Sequence, residues 1–260
     1  MVRLSTVDRL CYDQNTGDCF MEHQFLSEEE VAGYLNLALD DIQGRVKCRE
    51  IPFQTRGRRI VFDKGEIDEW ASQRILKLPE KRLEAYHQKS SQGTSAFLPQ
   101  TAILPQMIKP EFVAPAMTAK TKASVLRQLV DLADRTGRLN HPKALLESLE
   151  AREGLCSTGM PGGFAMPHPR THDSYLFESS FIVVGRSLQP INFGAPDGEP
   201  TSLFFLVCCQ DDRLHLHTLA RLCFMAQKPQ LLVELNAATD ADSIISALII
   251  AEAKAIAGSH

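Results

Sequence analysis

Between Arg152 and Arg170 the chain reads Arg-Glu-Gly-Leu-Cys-Ser-Thr-Gly-Met-Pro-Gly-Gly-Phe-Ala-Met-Pro-His-Pro-Arg, and no other stretch limits the fold as tightly. Proline fixes its own φ and restricts the residue before it, so Pro167 and Pro169 leave the backbone of His168 little freedom. The glycines let backbone N–H groups approach a ligand closely. A rigidly aimed imidazole beside a cradle of amides suits the holding of phosphate and covalent phosphoryl chemistry.

The chain has 260 residues, 44% of them hydrophobic, enough for one large domain or two ordinary ones with a buried core. A formal net charge of -4 supplies no global basic field for nucleic acid or an anionic membrane, so nucleic-acid binding requires a local patch. Seven cysteines, with Cys208 and Cys209 adjacent, fit free thiols better than a disulfide framework, which places the chain in a reducing, cytoplasmic compartment. Residues 1–20 lack the apolar core of a signal peptide, and no apolar run reaches the roughly 18 residues of a membrane span.

Residues 1–24 form an extension without clear periodicity and carry no assigned function. Ser27-Glu28-Glu29-Glu30 is a capping box that opens a helix through Leu35, with a turn at Asn36. A short helix over Asp40 to Val46 follows, then a hairpin over Ile51 to Phe62 with Thr55-Arg56-Gly57-Arg58 at its tip, then a helix over Asp63 to Ile75. This order over 25–78 is that of a small winged helix-turn-helix module. Residues 79–120, rich in Lys, Gln, Ser, Gly and Pro, read as a linker. Over 121–258 helices alternate with apolar strand runs: helices at Ala123 to Thr136, Pro142 to Glu153, Asp211 to Gln227 and Asp240 to Ala257, strands at Ser180 to Gly185 and Leu203 to Cys209. The fold class is therefore α/β, with a C-terminal α/β sandwich whose mixed sheet is flanked by helices and a small N-terminal winged helix-turn-helix domain.

Transfer of a phosphoryl group through histidine needs a nucleophilic imidazole, a cation for the phosphoryl oxygens and a second donor. His168 is the constrained nucleophile, Arg152 can clamp in bidentate fashion, and His215 lies near a helix start where anions are favoured. Arg-Glu-x-x-x-Ser-Thr-Gly, a glycine-containing loop, Met-Pro-His and, 47 positions on, His-Leu-His-Thr-Leu resemble the enzyme IIA domain of the fructose/mannitol type of the bacterial phosphotransferase system, which includes the nitrogen-regulatory IIA proteins. Gln189 to Gly198 resembles the Pro-Ile-x-Phe-x-Ala-x-Asp pattern of that family, and the likeness extends over Thr121 to Ala257.

The resemblance implies phosphorylation of His168, with His215 its stabilising partner and Arg152 the active-site arginine. Ser157 and Thr158 fall on the Ser-Thr positions, and loop amides from Ser157 through Gly159 to Gly163 are expected to bind phosphate. Cys156 and Pro161 stand where the family commonly has glycine. No cofactor or metal is implied; the phosphoryl group comes from a histidine-containing phosphocarrier protein. His217 is expected to pack or hydrogen-bond beside the site and His172 to be a solvated loop residue.

Other motifs fit less well. Cys208, Cys209, His215, His217 and Cys223 cluster in sequence, but adjacent cysteines on a strand leave opposite faces, so they read as core residues rather than zinc ligands. Gly154 to Gly159 imitates a P-loop, yet Met160 and Pro161 replace the phosphate- and magnesium-binding side chains. Leu155 stands where a nucleophile elbow has glycine.

Phe25 to Ala71 resembles the excisionase and MerR-like winged helix-turn-helix through Leu26 to Leu35, Gly57-Arg58-Arg59-Ile60 and Glu66-Ile67-Asp68-Glu69-Trp70. From Arg45 to Lys64 seven basic residues face only Glu50 and Asp63, and Arg45, Lys47, Arg49, Arg58 and Arg59 are the candidate DNA contacts. Asp40 and Asp41 at the start of the recognition helix oppose such contacts. The expected function is that of a phosphotransferase-system regulator that accepts phosphate on His168 and couples it to what the N-terminal module binds. The alternatives are a transport-linked enzyme IIA that passes phosphate to a IIB domain, and a DNA-binding regulator without phosphotransfer.

Overall fold

In the computed structural model the chain falls into two units, Met1–Trp70 and Ala71–His260. The structure describes residues 10–12, 19–21, 25–79, 81–86, 102–170 and 175–257. His172 and most of the 1–24 extension lie outside the described residues, although Leu10–Tyr12 (β1) and Cys19–Met21 (β2) pair antiparallel. Strands of three residues are too short to announce themselves by alternation.

In the smaller unit the Ser27 hydroxyl accepts from the Glu30 N–H at 3.2 Å, and the Glu30 carboxylate accepts from the Ser27 N–H at 2.7 Å. This capping box starts α1 (Glu28–Leu35), which Asn36 ends at a φ of 51°. Helix α2 (Leu39–Cys48) ends in the same left-handed way at Arg49, with φ 55°. The hairpin is β4 (Gln54–Arg56) and β5 (Arg59–Asp63), with Gly57 at φ 65° in its tip, and β3 (Phe25–Leu26) completes a three-stranded sheet ordered β3-β5-β4. Val31, Leu35, Ile42, Phe62 and Ile67 form the buried interior. Asp63 caps α3 (Lys64–Leu76), whose residues 71–76 fall in the larger unit, by accepting from the Glu66 N–H at 3.1 Å, and the Trp70 indole N–H donates to the Glu50 carbonyl at 2.7 Å.

The larger unit is built on a mixed sheet of five strands ordered β6-β9-β10-β8-β7. Its centre is β9 (Phe181–Ile191) against β10 (Thr201–Cys208), antiparallel, with Phe205 opposite Val184. Seven of the eight β10 residues are buried, as a near-continuous apolar run demands when both faces of a strand are covered. Strand β6 (Val113–Met117) joins β9 in parallel, and β8 (Phe164–Ala165) joins β10 in parallel with β7 (Gly159–Met160) outside it. On one side α6 (Lys122–Arg135) and α7 (Pro142–Leu155) pack with Leu129, Leu145 and Leu149 into a core that includes Phe112, Phe181, Phe193 and Phe204. Gly185 lies where β9 crosses this layer, and a Cβ there would run into the Met117 sulfur and the Leu129 side chain. Helices α8 (Asp212–Ala226), α9 (Pro229–Ala237) and α10 (Ala241–Ala257) complete the unit.

The reading of 79–120 as linker does not hold to its end. Residues 81–86 are helical (α4), Leu104–Met107 is a short helix (α5), and Pro110–Phe112 is a 3₁₀ turn leading into β6. The prolines that mimic linker punctuation have other places: Pro105 and Pro110 open helical turns, and Pro115 sits in an edge strand where the register shifts. All three are positions where the missing N–H costs little.

Candidate functional site

Met166-Pro167-His168 leaves β8 along the sheet, and its path is pinned on both sides. The Met166 N–H donates to the Thr158 carbonyl at 3.1 Å, and the Pro167 carbonyl accepts from the Val207 N–H of β10 at 3.0 Å. The His168 Nδ1 lies 2.9 Å from the Met166 carbonyl, which can only accept, so Nδ1 carries the proton. Nε2 then holds the lone pair, and Arg152 Nε donates to it at 3.1 Å. Both contacts require the same neutral tautomer.

Arg152 comes from the last turn of α7, where its Nη1 also donates to the Cys156 carbonyl at 2.9 Å. His215 comes from the first turn of α8, and its ring centroid lies 5.0 Å from that of His168. The three candidate catalytic residues thus converge, at 1% exposure for Arg152, 2% for His168 and 0% for His215. The serine Ser72 Oγ lies 3.4 Å from His215 Nε2.

The four candidate phosphate-binding residues serve the loop itself. The Ser157 hydroxyl donates to the Phe193 carbonyl at 2.7 Å and accepts from the Gly159 N–H at 3.1 Å. The Thr158 hydroxyl and N–H both donate to Glu153, at 2.6 Å and 3.1 Å. Gly163, at φ 82°, turns the chain between β7 and β8, and its carbonyl accepts from Ser202 and Leu203. These groups hold the loop to the end of α7, to β10 and to the segment 193–197, where Asp197 also accepts from the Gly162 N–H at 3.0 Å. Hydroxyl residues beside glycines look alike in sequence whether they face a ligand or an internal carboxylate.

The sequence reasoning missed Glu153, Lys122 and Ser72. Buried Glu153 pairs with Lys122 at 2.9 Å while it accepts from Thr158, so the residue after the arginine anchors the loop that leads to His168. The signal available was a carboxylate at the buried end of α7, five residues before a threonine. His217 is buried, but its Nε2 lies 3.3 Å from Arg221 Nη2. Burial pushes the thiols of Cys208, Cys209 and Cys223 well above their usual range, which makes them core groups rather than nucleophiles.

With the mixed sheet and the converging side chains in place, the class can be stated. The chain matches the phosphoenolpyruvate-dependent sugar phosphotransferase system EIIA 2 family over residues 106–251, more than half its length, and it belongs to that family. It is 31% identical over 152 residues to a nitrogen regulatory protein of Bradyrhizobium diazoefficiens, a match covering 57% of this chain and 96% of that one. It is 30% identical over 129 residues to the fructose-specific EIIABC component of Bacillus subtilis, where it spans 20% of the longer protein. The solved structure of nitrogen regulatory protein IIA-Ntr from Neisseria meningitidis superposes with a TM-score of 0.51 at 26% identity, covering 56% of this chain and 99% of that one.

Proposed function

We propose that the larger unit accepts a phosphoryl group on Nε2 of His168 from a histidine-containing phosphocarrier protein and that the chain acts as a phosphotransfer regulator. The observation that carries this reading is the tautomer: the Met166 carbonyl accepts the Nδ1–H hydrogen bond, which leaves the Nε2 lone pair beside Arg152. In the transfer, the P–N bond of the carrier breaks as the Nε2–P bond forms, and the carrier imidazole leaves with its electron pair. Arg152 receives the charge that accumulates on the phosphoryl oxygens, and His215 stands across from it. Neither step needs a cofactor.

The relatives named above include nitrogen regulatory proteins, and the smaller unit gives this chain something to regulate. Its helix, turn, helix and hairpin order supports a winged helix-turn-helix module, with Lys47, Arg49, Arg58 and Arg59 exposed for the phosphates of DNA. Arg45 is the exception among the candidate contacts, because it pairs with Glu50 at 3.1 Å and lies over the Trp70 ring.

The direct test is mass spectrometry of the intact chain after incubation with phosphoenolpyruvate, enzyme I and carrier protein. One acid-labile phosphoryl adduct is expected, and a chain that stays unmodified would overturn phosphotransfer. For the smaller unit, gel shifts on genomic DNA should weaken steeply with salt; absence of a shift at low salt removes DNA as the partner.

A further inference from the structure

Helix α8 has no polar face. Eleven of its residues are buried, including His215, His217, Thr218 and Arg221, so it must be covered on every side. The sheet covers one side, and Met107 of α5 reaches Thr218 from another. Part of the remaining cover comes from residues 71–79 and 81–86. At one end Ser72, 2% exposed, places Oγ 3.4 Å from His215 Nε2 in the first turn of α8. At the other, Glu84 of α4 joins Phe224 of the last turn of α8 and Lys228 just beyond it around a cavity of about 350 Å³. Between these points Ile75, Leu76 and Leu83 are buried, while Lys77, Lys81 and Arg82 face solvent. The described residues of the segment thus bury their large apolar side chains and expose their basic ones.

The consequence falls on His168. A carrier protein must bring its phosphorus to bonding distance of Nε2, in line with the bond that breaks, and a histidine 2% exposed offers no such approach. Ser72 Oγ stands beside His215, whose ring centroid lies 5.0 Å from that of His168, so a phosphoryl group placed between the two rings must share that space. We propose that residues 71–79 and 81–86 belong to an autoinhibitory strap that closes the phosphoryl site, so that a carrier protein gains access only when the strap lifts. Strap and phosphoryl group then compete for the space beside His215. By linkage, whatever lifts the strap speeds phosphorylation, and phosphorylation loosens the strap. In sequence the strap follows directly on the smaller unit, so a ligand of that unit is placed to influence it.

The proposal rests on the phosphotransfer reading, and two readouts on the full chain keep the failures apart. Carbethoxylation of His168 by diethyl pyrocarbonate, followed by peptide mass spectrometry, reports access without any phosphotransfer; carrier-dependent phosphorylation reports the reaction. Ser72→Arg cannot keep its side chain beside His215, whereas Lys77→Ala, on the exposed side, leaves the strap seated. Ser72→Arg should raise both rates about tenfold or more, because an open state held at 10% or below becomes the main one. Lys77→Ala should stay close to the parent chain. Equal carbethoxylation rates in all three chains overturn the strap. Faster carbethoxylation of Ser72→Arg with no phosphorylation of any chain instead overturns phosphotransfer, and the carrier gate with it. Hydrogen exchange on the unsubstituted chain is independent of any folding defect: amides of 71–76 and 81–86 should lose protection on phosphorylation, and unchanged protection sinks the proposal.

Discussion

His168→Gln is expected to abolish carrier-dependent phosphorylation, while Arg152→Lys slows it by about 10²–10³ without preventing it. Glutamine supplies no lone pair at the Nε2 position, so the loss should be complete and no second histidine should take over. His215 is the nearest candidate, but it lies across the pocket and Nε2 of that ring is already turned to Ser72. The Arg152 substitution separates positioning from nucleophilicity. Lysine keeps the charge yet loses the fork that reaches His168 Nε2 at 3.1 Å and the Cys156 carbonyl at 2.9 Å together. Single-turnover labelling from phosphorylated carrier measures both effects. A modified His168→Gln chain would move the acceptor elsewhere, and an Arg152→Lys rate equal to that of the parent would remove the arginine from the transfer.

What the sequence made legible follows from how local each signal is. The Ser27 capping box, the proline at the start of α7 and the Asp211 cap of α8 act within one turn, so those helices were readable to within a few residues. The long apolar runs of β9 and β10 were readable because both faces of each strand are covered. Strands β7 and β8 have two residues each and exist only because β10 supplies their partner, so periodicity has nothing to detect. Helix α9 was missed because nothing polar caps its start.

For the site, the convergence of Arg152, His168 and His215 was foreseeable from their residue types and family spacing. The internal use of Ser157 and Thr158 was not, because it depends on where Phe193 and Glu153 come to rest. Ser72 had no signal at all. A serine in an amphipathic helix says nothing about a histidine 143 positions away.

The placement of His215 depends on a charge pair in the interior of the larger unit. Arg221 and Glu252 meet at 2.9 Å with both side chains at 0% exposure, joining α8 to α10. The same carboxylate accepts from the N–H groups of Ile103 at 2.9 Å and Leu104 at 3.1 Å, at the start of α5. Burial lowers the affinity of Arg221 for its proton, and Glu252 works against that shift. Glu252→Ala leaves a buried guanidinium uncompensated and is expected to cost about 3–5 kcal/mol of stability. The exposed pair Lys143–Glu147, at 3.8 Å and 91% and 67% exposure, provides the contrast: Glu147→Ala should change stability by about 0.5 kcal/mol or less.

Replacing both buried partners, Arg221→Met with Glu252→Leu, removes the charges but not the demand of the two backbone donors. Each orphaned N–H costs roughly 1–3 kcal/mol, so the double variant should recover only part of the loss. Urea unfolding followed through the secondary structure of the larger unit measures all three. If the double variant matches the parent, Glu252 serves the arginine alone and α5 is held by other means. If it remains unstable, the carboxylate is a three-way tie between α5, α8 and α10, and the helix that carries His215 is fixed from its buried side.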